Sequence, residues 1–272
     1  MRIDNCFETL KLTNKKALIT FLTAGDPNYD LSLELIKSLP EAGADIIEIG
    51  MPFSDPMADG PAIQASSLRA INSGHKMEKT FEMIESFRKD NSHTPIILMG
   101  YFNPIYNYGV DTFIKKIIDI EVDGVIVVDL PPEEDNELCN AIESADLSFI
   151  RLVTPTTNAD RLNKILQKTS GFLYYVSVAG ITGSKTPQLE DIKKKIDFIK
   201  SKCSIPLAVG FGIRTPDQVK NIANISDGVV VGSAIIDRIF EGIESSKGED
   251  FIVENALNLV KDLSAALKIK YN

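Results

Sequence analysis

Two acids in one short segment carry the most chemistry in this chain. Residues 45–63 read DIIEIGMPFSDPMADGPAI, and Glu48 sits inside an apolar run formed by Ile46, Ile47, Ile49, Gly50 and Met51. Such a run forms a buried strand. An unpartnered carboxylate there is costly, so the group holds its proton to higher pH than usual. Asp59 follows eleven residues later, beyond a Pro-rich turn. A proton-holding carboxyl beside a more exposed carboxylate is the raw material of acid–base catalysis. The plainer alternative is a strand-end glutamate paired with a Lys or Arg, but no basic residue lies near Glu48 in sequence.

The elements that position these acids follow one pattern. Apolar strand candidates begin near Ala17, Asp45, Pro95, Asp123, Leu147, Gly171, Ile205 and Asp227. Between them lie helical patterns over 31–42, 76–88, 112–120, 133–145, 160–167 and 189–200. The strand runs are near-continuously apolar rather than alternating, as parallel strands covered on both faces are. Eight strand–helix units predict a (β/α)8 TIM barrel with an extra N-terminal helix and a C-terminal helix. A doubly wound sheet is the structural alternative. Segment 5–12 is placed as a plug in the barrel bottom and 251–267 against the outer ring. A chain of 272 residues, 44% hydrophobic, fits two small domains or one large barrel, and the repeat favours a single domain over 1–272.

Composition narrows the classes. A net charge of −9 argues against nucleic acid and anionic membrane surfaces. Cys6, Cys139 and Cys203 are few and scattered, as in a reduced cytosolic protein, where they serve as small buried hydrophobes. The segment Met1-Arg2-Ile3-Asp4-Asn5 lacks the apolar core of a signal peptide. No apolar stretch reaches the roughly 20 residues that span a bilayer. A soluble, cytoplasmic protein is the expectation.

In a barrel, active sites occupy the C-terminal strand ends. Alternation directs Ile47 and Ile49 to the helix layer and Glu48 into the mouth, although a one-residue slip reverses this. Asp59 lies in the loop after the same strand. Glycine loops follow three further strand candidates: 180–184 after the sixth, Gly210-Phe211-Gly212 after the seventh, and Gly232-Ser233 after the eighth. Backbone N–H groups and a helix N-terminus hold phosphate without a lysine, although any one glycine is more often turn chemistry.

Absences shape the chemistry as well. No lysine stands at the C-terminal end of a strand candidate, which disfavours a Schiff-base aldolase. His75 and His93, the two histidines, are placed on the surface, in a helix start and a pre-strand turn. Without a His or Cys cluster a metal-dependent reaction is disfavoured, and no metal site is expected. Proton transfer by carboxyl groups on a phosphorylated substrate remains. Phe21, Tyr174 and Phe211 at strand ends either accept a flat apolar group or cap the core.

The stretch from Glu48 to Pro61, EIGMPFSDPMADGP, closely resembles the signature of the tryptophan synthase alpha chain family. TFLTAGDP beginning at Thr20 and GFGI beginning at Gly210 resemble it too, in the same order along nearly the whole chain. The resemblance implies a (β/α)8 barrel that cleaves indole-3-glycerol phosphate to indole and glyceraldehyde 3-phosphate, a retro-aldol reaction without metal or organic cofactor. It gives Glu48 the acid–base role at the indole ring carbon, and gives Asp59 the indole N–H and the positive charge that develops. Gly183, Gly212, Gly232 and Ser233 would hold the phosphate. Phe21, Ile63, Tyr174 and Phe211 would line the indole pocket, with Thr182 on the loop that closes over it. Asp129 matches a position near the active site.

The resemblance also implies a partner: a pyridoxal-phosphate-dependent beta subunit in an α2β2 assembly, with pyridoxal phosphate on that partner alone. Pro52, Asp55 and Asn103 match the docking region. One departure is visible, since relatives read Ser-Arg before the closing loop and this chain reads Ser177-Val178. The loop over 178–191, with Gly180 and Gly183, is read as a mobile lid. Three rivals stay open: a stand-alone lyase releasing free indole, another phosphate-barrel isomerase, and a barrel kept as a scaffold.

Overall fold

The computed structural model describes residues 1–177, 189–210 and 212–267. Helix α1 (Arg2–Leu12) precedes β1 (Ala17–Thr23), α2 (Tyr29–Ala42), β2 (Ile46–Gly50), α3 (Pro61–Asn72) and α4 (Met77–Asp90). Next come β3 (Ile96–Gly100), α5 (Phe102–Tyr108), α6 (Val110–Asp119), β4 (Gly124–Val127) and α7 (Asn136–Ser144). They are followed by β5 (Ser148–Phe149), β6 (Arg151–Val153), α8 (Ala159–Leu166), β7 (Leu173–Val176) and α9 (Leu189–Lys200). The last are β8 (Leu207–Gly210), α10 (Pro216–Ala223), β9 (Gly228–Val231), α11 (Ser233–Ser245) and α12 (Glu249–Leu267).

The strands are parallel, in the order β5-β4-β3-β2-β1-β9-β8-β7-β6. The two ends of that order are one strand in sequence, because only Ile150 separates β5 from β6. β5 pairs with β4 and β6 with β7, so the fifth strand changes partner midway and joins the circle. The expected eight strands are all present in this form, as a (β/α)8 barrel.

Two apolar shells hold it. Inside lie Ile19, Ile46, Ile97, Ile126, Ile150 and Phe172, with Ile3 and Phe7 of α1 closing the bottom. Phe7 and Phe172 rings meet at 5.7 Å between centroids. Outside, Leu18, Leu22, Ile47, Ile49, Leu98 and Val125 face the helices. Register is set partly by a repeated device, an aspartate just before a strand. Asp45 accepts the Leu18 N–H at 2.8 Å, Asp123 that of Ile96 at 2.8 Å and Asp227 that of Leu207 at 2.9 Å. Asp123 also pairs with Arg88 at 2.6 Å and Arg2 at 3.0 Å, which pins α1 to the barrel bottom. Helix α12 packs on α2, α10 and α11.

Three helices go beyond the sequence reading. α3 starts inside the acid-bearing segment with Pro61 in its first turn, where a missing N–H costs nothing. α5 has only 7 residues. α10 opens with a capping box between Thr215 and Gln218 behind Pro216. His75 departs from its expected surface position. It is buried, its Nε2 lies 2.9 Å from the Thr80 hydroxyl, and desolvation with nearby Lys79 lowers its pKa to about 4. His93 is exposed. Of the cysteines, Cys139 is buried while Cys6 and Cys203 are half-buried, all three as free thiols.

Candidate active site

Strand β2 places Glu48 between Phe21 of β1 and Ile97 of β3. Its neighbours Ile47 and Ile49 belong to the sheet–helix shell, and Ile46 belongs to the inner one. Glu48 therefore faces inward, on the wall of the cavity at the strand ends. It is 1% exposed, and neither carboxyl oxygen has a hydrogen-bond partner. Burial raises its pKa from the ordinary 4.5 to about 8. The group is a neutral acid at pH 7, and no Lys or Arg clasps it among the described residues.

Asp59 lies past the turn that follows β2, half-buried. The Tyr101 hydroxyl donates to its Oδ2 at 3.0 Å. Burial raises its pKa, and the Tyr101 hydrogen bond acts in the opposite direction. The two carboxyl groups thus differ in kind, one sealed without partners and one seated by a hydroxyl donor.

Both line a cavity of about 1300 Å³, together with Phe21, Ile63, Tyr174, Gly212, Gly232 and Ser233. Asp129 lies on the same wall and accepts the Phe102 N–H at 2.8 Å. Thr182, Gly183 and Phe211 lie outside the described residues, as does the segment 178–188 that begins the expected lid. In the loop after β2, Asp55 accepts the Ser54 hydroxyl at 2.5 Å and Pro52 is half-buried, while on α5 Asn103 accepts from Asn107 at 3.1 Å. Met57, at 82% exposure, stands on that loop and Tyr106, at 59%, on α5.

The glycines at the mouth have a steric cause. A β-carbon on Gly210 would lie 2.4 Å from the Tyr174 hydroxyl, and one on Gly232 3.1 Å from the Phe21 β-carbon. Absent side chains there let the two rings stand at the mouth. Gly232 also precedes the first turn of α11, a helix of 13 residues, whose N-terminal end opens on the cavity through Ser233. Such an end attracts anions. Gly210→Ala is expected to displace the Tyr174 ring and lower kcat/KM about tenfold, since small misplacements at a site cost rate steeply. Steady-state kinetics check this, and unchanged constants would mean that the ring is free to move.

Sequence reasoning missed Tyr101, the donor to Asp59. It also missed the bidentate pair of Arg69 with Asp26, at 2.7 and 2.8 Å, which ties α3 to the loop after β1. Tyr101 had one visible signal, an aromatic residue directly after the third strand run.

A parallel barrel with a sealed glutamic acid and a seated aspartate lining one cavity at its strand ends has the build of a TIM-barrel enzyme. The family model described as tryptophan synthase alpha chain matches residues 7–267. The chain is similar to tryptophan synthase subunit alpha of Legionella pneumophila str. Paris, with 40% identity, a TM-score of 0.91 and 98% of each chain covered. It also resembles a structure from Aquifex aeolicus VF5, with 38% identity, a TM-score of 0.88 and 98% of each chain covered. Tryptophan synthase of Mycobacterium tuberculosis shares 31% identity at a TM-score of 0.88, with 99% of each chain covered. The chain belongs to the tryptophan synthase alpha chain family, and it is a lyase acting on indole-3-glycerol phosphate in tryptophan biosynthesis.

Proposed function

We propose that residues 1–272 act as one barrel domain in which Glu48 and Asp59 cleave indole-3-glycerol phosphate. Glu48 protonates the indole ring carbon that carries the side chain. Asp59 accepts the ring N–H and stabilises the positive charge that builds on the ring. The ring is then an electron sink. The adjacent hydroxyl returns a proton to Glu48, its oxygen becomes the aldehyde, and the carbon–carbon bond electrons restore neutral indole. Gly212, Gly232 and Ser233, with Gly183, hold the phosphate. Phe21, Ile63, Tyr174 and Phe211 contact the indole, and Thr182 is a further substrate-binding residue.

The single observation behind this reading is the burial of Glu48 with both oxygens unpartnered on the cavity wall. Proton transfer needs no cofactor in this chain, and pyridoxal phosphate belongs to the beta subunit with which it forms an α2β2 tetramer. Pro52, Asp55 and Asn103 form part of that docking face, next to the exposed Met57 and Tyr106. Asp129 supports the same region through its bond to Phe102. Among the described residues no helix is long and apolar enough to cross a membrane, and we place the enzyme in the cytoplasm.

The purified chain, incubated with indole-3-glycerol phosphate with and without a beta subunit, is expected to release indole, faster in the complex. No indole in either mixture would refute the reading, and equal rates would refute the partner. The acid form of Glu48 is the one that reacts, and its pKa is about 8. Activity is therefore expected to fall on the alkaline side near that pH, tenfold for each further unit, as a pH–rate profile would record.

A further inference from the structure

Tyr101 directly follows β3 and is the residue before α5. It is 4% exposed. Its hydroxyl donates to Asp59 Oδ2 at 3.0 Å and accepts the Ala58 N–H at 2.9 Å. Its ring lies 5.2 Å from that of Phe53, at 34° between planes. The loop from β2 to α3 thus rests on one side chain at both ends, by Phe53 at its start and by Ala58 and Asp59 at its finish. On the other side, Asp129 holds the very next backbone N–H, that of Phe102, at 2.8 Å.

We propose that Tyr101 is a positioning residue for the cleavage reaction, seating the Asp59 carboxylate through its hydroxyl. The inference rests on the role given to Asp59 above. The groups around this aspartate offer little else that favours its charge. Tyr174, sealed by burial, also feels the Asp59 charge, and Asp129 acts on Tyr101 itself. No lysine, arginine or histidine pairs with Asp59 among the described residues, whereas the Tyr101 hydrogen bond opposes the effect of burial. Hydrogen bonds to charged acceptors are the strong ones, and removing one leaves the buried acceptor to bear its desolvation.

The test is Tyr101→Phe, which keeps the ring and its contact with Phe53, measured beside Asp59→Asn and the double variant. Tyr101→Phe is expected to lower kcat/KM about tenfold or more and to move the acid limb of the pH–rate profile upward, because Asp59 then loses its proton less readily. In the Asp59→Asn background the second change should cost nothing further, and the thermal midpoint of the single variant should stay near that of the parent. A general loosening of the fold would lower that midpoint without moving the limb. An impaired Asp59→Asn enzyme together with an unmoved acid limb in Tyr101→Phe would overturn this inference alone. A fully active Asp59→Asn enzyme would overturn it together with the role of Asp59.

Discussion

Glu48→Gln is expected to lower cleavage of indole-3-glycerol phosphate by about 10²–10⁴, with substrate still bound. Gln fills the same space between Phe21 and Ile97 but has no transferable proton. The same change should alter stability in a pH-dependent way. Glu48 rises from its ordinary 4.5 to about 8 on folding, so the folded chain holds a proton that the unfolded chain releases. Stability is full below about pH 4.5, falls as pH rises toward 8, and is level beyond. At pH 7 the cost is on the order of 3 kcal/mol. Gln has no such titration, although its amide also lacks partners in this pocket. Urea unfolding of both proteins from pH 5 to pH 8 should therefore show the variant gaining on the parent as pH rises. A difference that does not vary with pH would contradict the buried, proton-holding state. A variant with full activity would contradict the acid–base role.

Arg151→Leu is expected to destabilise the fold by about 3–5 kcal/mol, the usual cost of stripping one partner from a buried ion pair. Arg151 opens β6, one residue after the seam at Ile150. Its guanidinium donates to Asp135, lies 3.6 Å from the Cys139 sulfur and stacks 4.1 Å from the Phe149 ring centroid. The two side chains are 4% and 0% exposed. Asp135 Oδ1 already lacks a hydrogen bond, with Lys168 no nearer than 3.8 Å. Without Arg151 the carboxylate would be left in the interior with little compensation. Adding Asp135→Leu should restore most of the loss, because the charge that could not be solvated is gone. Denaturant titrations of the single and double variants decide the matter, and equal losses in both would point to packing rather than charge.

The barrel could be read in the sequence because its strands are short, apolar on both faces and regularly spaced. Three of the candidates begin at an aspartate, and the structure gives Asp45, Asp123 and Asp227 a common task in holding the neighbouring strand. The inward direction of Glu48 followed from Ile47 and Ile49 on either side of it, which belong to the sheet–helix shell. The break at Ile150 left no trace, since a strand that changes partner keeps the same hydropathy. α3 lay beyond the signature, which ends at Pro61, and its helical spacing is weak, although Pro61 itself marks a helix start. His75 seemed a surface residue because its cover comes from elsewhere in the fold, notably the loop at Gly25. The hold of Tyr101 on Asp59 spans 42 positions, and no local pattern reports a contact of that length.

The most direct test is a titration of the Glu48 carboxyl itself, by isotope-edited NMR or infrared difference spectroscopy with Glu48→Gln as the blank. A midpoint near 8 is expected, from a proton that burial alone retains. A midpoint near the ordinary 4.5 would show an ionised carboxylate at neutral pH, and the proposed protonation of the indole ring would have no source.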